Sequence, residues 1–255
     1  MDNVRRRALV TGASRGVGAA VATRLAADGF AVAVHCRADV DAAKSVAAGL
    51  SGDGHVVVSG DLADPAAAAR VVAESAAGLG RIDVLVNNAG IYVEHDITAT
   101  TYEQWRDVWR QTLDLNLVGT ANVTWCVVRH LLDRPEGPAG GRIVTVGSRG
   151  AYRGEPTAPA YGASKAGVHA LTQSLAVALG PYGIGAAAVA PGYVRTDMTE
   201  HILSEPRGDA IRAQSPLGRV AEPTEVASAV AWLVSPDALW ASGTVIDVNG
   251  ASYLR

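Results

Sequence analysis

Short β-branched runs alternate with alanine-rich stretches of helical period along the whole chain, and this alternation restricts the fold more than any other feature. Residues 8–11, 31–35, 56–58, 82–86, 143–146, 186–189 and 245–248 read as strands. Residues 17–27, 40–50, 65–78, 160–179 and 222–234 read as helices, and 100–132 forms one long helical segment. The strand runs are apolar at successive positions, the pattern of strands buried on both faces of a parallel sheet. Repeated βα units therefore predict an α/β fold, a doubly wound parallel sheet with helices on both faces. Asp64 followed by Pro65 marks a helix start. Thr100 with Glu103 has the spacing of a capping box for the long segment.

No linker divides the 255 residues, so one domain over 1–255 is expected. The glycine- and proline-rich stretch 134–141 reads as a connection between a helix and a strand. Residues 192–219 form the longest irregular region. Loops leaving the carboxyl ends of strands line the ligand crevice of such a sheet, which makes 192–219 a candidate substrate lid.

Composition removes several classes of function. At 49% apolar and 18% charged residues the chain is globular. A net charge of −3 gives no footprint for nucleic acid. No apolar run reaches the ~18 residues of a membrane span. Two cysteines, Cys36 and Cys126, fit a reducing compartment, and a cytoplasmic location is expected. The histidines lack ligand spacing, so no metal is expected; His95 and His201 fall where a substrate could border them.

The segment Thr11-Gly12-Ala13-Ser14-Arg15-Gly16-Val17-Gly18 joins the first strand to the first helix. Its glycines allow a tight turn, and its backbone N–H groups can meet a pyrophosphate at a helix N-terminus. Near the second strand's end, Arg37 with Arg15 would present two guanidinium groups to one ribose, favouring a 2′-phosphate. The alternative is that Asp39 or Asp41 turns to the ribose instead.

Tyr161 and Lys165 stand four residues apart on a predicted helix, on one face, about 5–6 Å apart at Cβ. An ammonium beside a phenol favours the phenolate and lowers its pKa, and a phenol tuned this way exchanges a proton with an alcohol oxygen. Ser148 closes the fifth strand, 13 residues before Tyr161, and can bond the same oxygen. The chain has twenty arginines and only two lysines, Lys44 and Lys165. Lysine at 165 thus goes against the local bias, where a compact charge with rotatable donors suits the chemistry. Lys44 reads as a solvated helix residue.

The spacing G-x-x-x-G-x-G, with Tyr161-Gly162-Ala163-Ser164-Lys165 and Ser148 upstream, resembles the short-chain dehydrogenase/reductase family, and the resemblance spans nearly the whole chain. It implies a Rossmann-type fold and NADP(H) in preference to NAD(H), because Cys36 replaces the acid that selects NAD. It also implies that Asp61 and Leu62 flank the adenine and that Asn88, Ala89 and Gly90 form the central cofactor turn. Asn116 would extend a proton relay through water, and Tyr161 and Lys165 would also touch the cofactor. Pro191, Gly192, Val194 and Thr196 would contact the nicotinamide. A homotetramer or homodimer built on the long helix and the Tyr-Lys helix follows from the same resemblance. Trp105, Trp109 and Trp125 lie on the first of these, where core packing is their plainer role.

The expected function is NADPH-dependent reduction of a small-molecule ketone, or oxidation of the matching secondary alcohol, with Tyr161 as general acid/base. The motifs Pro216-Leu217-Gly218-Arg219 and 245–250 are similar to the 3-oxoacyl-carrier-protein reductase group, which gives an alternative substrate. Such reductases carry basic residues where this chain has Ala139 and Tyr182. Arg149, Tyr152, Arg153 and Glu155 fall at the substrate rim, where the arginines meet either a polar ketone or a structural partner. A non-catalytic NADP(H) sensor on the same fold is the reading from a different class; the complete Asn116, Ser148, Tyr161 and Lys165 set speaks against it.

Overall fold

Valine-rich runs form seven strands: β1 (Arg7–Val10), β2 (Ala31–Cys36), β3 (Val56–Ser59), β4 (Val84–Asn87), β5 (Arg142–Val146), β6 (Gly185–Pro191) and β7 (Val245–Val248). All pair in parallel, in the order β3-β2-β1-β4-β5-β6-β7. The computed structural model describes residues 5–204 and 206–255, apart from the side chains of Met198 and His201.

The helices are α1 (Gly16–Ala27), α2 (Val40–Ala48), α3 (Pro65–Leu79), α4 (Tyr102–Leu113), α5 (Thr120–Leu132), the single turn α6 (Gly150–Arg153), α7 (Pro159–Leu179), α8 (Asp197–Ser204), α9 (Arg207–Arg212) and α10 (Pro223–Val234). On one face of the sheet, Val21 and Leu25 of α1 and Val226 and Val230 of α10 pack on Val10, Val34 and Val144. On the other, Val71 of α3 and Val123, Val127 and Leu131 of α5 cover Leu9, Leu85 and Ile143. Strands clad on both sides must be apolar on both sides, hence the unbroken valine runs. Leu85 is fully buried, and cutting it to alanine would cost about 2–5 kcal/mol.

Three local expectations shift. Asp64 caps α3 as predicted, accepting from the Ala66 N–H at 3.0 Å. The capping box of α4 instead sits one residue later: Thr101 Oγ1 accepts from Gln104 N at 3.3 Å, and Gln104 Oε1 accepts from Thr101 N at 3.1 Å. Thr100 is unavailable because its hydroxyl donates to the Asp96 carbonyl at 2.6 Å. The long segment is also not one regular helix, for Asp114–Gly119 between α4 and α5 is a π-helical turn. The region 192–219 is not irregular throughout; it holds α8 and α9, with a small apolar cluster of Ile202, Leu203, Ile211 and Val220.

Candidate active site

The strand order reverses between β1 and β4, and at that switch point the carboxyl ends of the strands open on one cleft of about 370 Å³. Of the residues predicted for the site, all but Gly18 and Asn116 line it.

At its phosphate end, Gly12 (φ 63°) and Gly16 (φ 56°) take left-handed conformations that residues with a side chain adopt only under strain. A Cβ on Gly12 would stand 2.9 Å from the Ala89 Cα. Gly18 does not face the cleft: a Cβ there would run into the Gly12 carbonyl oxygen, so its role is close packing of α1 on the loop. The N-terminus of α1 has neither a side-chain cap nor an acid in its first turn, leaving N–H groups and the dipole for an anion. Asn88 ties this loop to the β4 turn, donating to the carbonyls of Thr11 and Gly12, each at 3.0 Å.

Arg15 and Arg37 are both exposed on the cleft. Asp39 does not turn to the ribose side; its carboxylate caps α2, accepting from Ala42 N at 3.0 Å. Asp41 lies 3.9 Å from Lys44, and both side chains are exposed, as expected of that lysine. Asp61, Leu62 and Gly60 close this end of the cleft. His35 lies beneath the glycine loop, 2% exposed: its Nδ1 accepts from Gly12 N–H at 3.0 Å, so Nε2 carries the proton given to the Gly60 carbonyl at 3.0 Å. Burial lowers its pKa.

The chemical end gathers Ser148, Tyr161 and Lys165. Ser148 Oγ accepts from Gly150 N at 3.0 Å, which orients the hydroxyl. Lys165 is buried on α7 and donates to the Val146 carbonyl at 2.9 Å, with its Nζ 5.6 Å from the Tyr161 ring centroid. The expected lowering of the phenol's pKa is not found. Burial pushes Tyr161 up to about 12, against the pull of the Ser148 hydroxyl. Burial also brings Lys165 down to about 8. Loss of hydration disfavours the charged form of each group and is the largest cause of both shifts.

Asn116 lies under the cleft floor in the π-helical turn, a wide turn found often at functional sites. Its amide is fully engaged, donating to the Ile91 carbonyl at 3.0 Å and to Ser164 Oγ at 3.1 Å and accepting from Ile91 N at 2.9 Å. A Cβ on Gly90 would stand 3.2 Å from Asn116 Oδ1 and 3.6 Å from Lys165 Nζ, so these groups meet behind that glycine. Pro191, Gly192, Val194 and Thr196 line the cleft beyond β6.

At the rim the structural alternative holds for the arginines. Arg149 and Arg153 each donate to Gln214 Oε1 at 2.5 Å, joining the loop after β5 to the end of the 192–219 region. His95 does not border the cleft, because its ring pins Val93 O at 2.9 Å and Ala160 N at 3.3 Å. The His201 side chain lies outside the described residues. Tyr92, Tyr193, Ile202 and His35 line the cleft without having been singled out for it. No local pattern marks them, since only the folded crossings bring them there.

A family model described as enoyl-(acyl carrier protein) reductase matches residues 12–251. The 3-oxoacyl-[acyl-carrier-protein] reductase FabG of Escherichia coli (strain K12) is 35% identical over 247 residues, 97% of each chain. The acetoacetyl-CoA reductase of Shinella zoogloeoides is 37% identical over 248 residues, 97% of this chain and 98% of that one. A crystal structure of a short chain dehydrogenase from Burkholderia cenocepacia J2315 in complex with NADP superposes with a TM-score of 0.87 at 36% identity, covering 97% of both. With the glycine loop, Ser148, Tyr161 and Lys165 gathered on one parallel sheet, the chain belongs to the short-chain dehydrogenase/reductase family of nicotinamide-dependent oxidoreductases.

Proposed function

We propose that this chain is an NADP(H)-dependent ketoreductase that interconverts a ketone and a secondary alcohol. The observation carrying this reading is the convergence of Ser148, Tyr161 and Lys165 on the cleft that also holds the glycine loop. The residues fit the cofactor: left-handed glycines, an uncapped helix N-terminus, and Arg15 and Arg37 exposed at the ribose end. Gly12, Ser14, Gly16 and Val17 would hold the pyrophosphate, Arg15 and Arg37 the 2′-phosphate, and Asp61 and Leu62 the adenine. Asn88, Ala89 and Gly90 would line the central turn, and Pro191, Gly192, Val194 and Thr196 the nicotinamide. NADPH, when bound, supplies the hydride.

Ser148 donates to the substrate's carbonyl oxygen. Tyr161, a neutral phenol far above neutral pH, gives its proton to that oxygen as negative charge develops on it. Lys165, with a pKa of about 8, releases a proton at neutral pH more readily than an ordinary lysine and can restore the phenol. Asn116 fixes the turn beside Lys165, from which a bound water would extend the relay to solvent. Tyr161→Phe should abolish NADPH oxidation while NADPH binding, read by fluorescence, persists; turnover at the wild-type rate would sink the mechanism.

For the substrate, the names of the FabG and acetoacetyl-CoA relatives support a 3-oxoacyl thioester. The rim supports a smaller ketone: Ala139 and Tyr182 are exposed and uncharged where a carrier-binding reductase would present cations. The 192–219 region is the proposed lid, with Tyr193 and Ile202 on the cleft and Arg207 paired with Glu94 at 3.2 Å across from it. A homo-oligomer is supported by Trp125 on α5, 65% exposed, and Val177 on α7, 81% exposed. A monomer by light scattering would overturn it. The two free cysteines support a cytoplasmic setting.

A further inference from the structure

Glu155 lies between Ser148 and Tyr161 in sequence and lines the same cleft. Its carboxylate fills the space above Gly150, where a Cβ would run into Oε1. Gly150 has ordinary helical backbone, so glycine stands there to seat the carboxylate and not to relieve a dihedral angle.

This carboxylate is half-buried, and burial raises its pKa; Arg149 and Arg153 oppose that only through space. Each guanidinium group gives an N–H to Gln214 Oε1 and none to Glu155, and Arg149 also lies over the Tyr193 ring, 5.2 Å from its centroid. Among the described residues no side chain or backbone N–H donates to the Glu155 carboxylate, whose neighbours act on it only through space. An ionised carboxylate only accepts, at about four lone-pair sites, and leaving them unmet in a partly dry site is costly. A donor on a ligand would offset that cost.

Position and charge narrow the donor. Glu155 acts electrostatically on the phenols of Tyr161, Tyr92 and Tyr193, so it stands close to the reacting carbonyl. The two nearby guanidinium groups disfavour an ammonium, and Glu155 itself repels a carboxylate. A neutral hydroxyl remains. We propose that Glu155 is a specificity residue that accepts a hydrogen bond from a hydroxyl beside the substrate's carbonyl, so that the site takes a hydroxylated ketone. This rests on the ketoreductase reading and decides between its two substrate classes, in favour of the small molecule.

The test compares 1-hydroxy-2-butanone with 3-pentanone, which exchange a hydroxyl for a methyl, and with acetoacetyl-CoA. Wild-type protein should prefer the hydroxyketone in kcat/KM by roughly 10- to 100-fold, the range of a hydrogen bond to a charged group. Glu155→Leu should collapse that preference to near unity, and Glu155→Gln, which keeps a carbonyl acceptor, should retain part of it. Equal kcat/KM for the two ketones in the wild type, or a preference surviving Glu155→Leu, overturns the proposal. So does acetoacetyl-CoA outrunning both ketones with no response to Glu155→Leu; in these cases the ketoreductase reading stands. NADPH binding without oxidation by any of the three compounds removes that reading and the proposal with it.

Discussion

Lys165 holds its ammonium over the Tyr161 ring, 5.6 Å from the centroid, yet its hydrogen bond goes to the Val146 carbonyl at 2.9 Å and not to the phenol. The lysine is thus anchored by the end of β5 and meets the tyrosine only over the face of its ring. With Lys165 near 8 and Tyr161 near 12, both groups are protonated at neutral pH and the lysine is the first of the two to titrate as pH rises. Ketone reduction needs the protonated forms, so its kcat should fall as pH rises through about 8. Alcohol oxidation needs a proton acceptor and should rise over the same interval. Lys165→Met should remove this limb from both profiles; rates parallel to wild type through that pH would contradict the assignment.

Arg37 follows the buried Cys36 at the end of β2 and lies open on the cleft. Arg37→Asp should raise the KM for NADPH about tenfold or more, the ~1.5–3 kcal/mol of a charge-assisted hydrogen bond, and improve the use of NADH. Steady-state kinetics with both cofactors decides it, and an unmoved NADPH KM would mean the guanidinium never meets the 2′-phosphate.

His35 links the Gly12 N–H to the Gly60 carbonyl and so holds two cofactor-facing turns at one spacing. Its effect is on positioning, because the ring reaches the cofactor only through those backbones. His35→Phe should weaken NADPH binding by roughly tenfold, about the cost of leaving a buried N–H unpaired. His35→Asn keeps an oxygen near the place of Nδ1 and should recover much of that loss, with the kcat of the saturated enzyme hardly affected. Titration of NADPH fluorescence reads both variants; equal affinity in His35→Phe would show that the loop holds itself.

His169 fills the space behind Gly147 and stacks on Tyr152 with centroids 5.1 Å apart, yet neither ring nitrogen finds a partner among the described residues. Burial, with the charge of Lys165 adding to it, lowers its pKa from 6.5 to about 4. Between those values the unfolded chain binds a proton that the native protein refuses, so stability present above pH 6.5 is lost as pH falls toward 4. His169→Leu should flatten that decline in urea midpoint without lowering stability at neutral pH, since no hydrogen bond is removed. An identical acid slope in the variant would assign the decline to other groups.

Much of this site was legible because its signals are local. The glycine loop, Asn88, Ser148 and the Tyr161–Lys165 pair each sit at a strand end or on one helix face, where period and spacing place them. What escaped depends on distant segments. The pKa of Tyr161 is governed by burial, which no tetrapeptide reports. Gly18 reads as a phosphate glycine but serves packing against Gly12, because the difference is a matter of which backbone lies opposite. Trp125, for which core packing was the plainer role, stands exposed, because Val123, Val127 and Leu131 supply the face of α5 that meets the sheet. Glu155 carried no motif at all; its meaning comes from Gly150, Arg149 and Gln214 standing where they do.

The π-helical turn at Asp114–Gly119 fixes a phase. One residue more than an α-turn lies between α4 and α5, so the two helices are offset by about 100° about their common axis relative to a continuous helix. Shortening the segment by a single residue would leave two sound helices and an unbroken run of hydrogen bonds. It would also swing Asn116 away from Ile91, and turn Val123 and Val127 off the sheet that they now cover. Any insertion, deletion or grafted helix in this chain must therefore keep the number of residues in that one turn, together with Asn116 and with Gly119, where a Cβ would run into the Leu62 carbonyl.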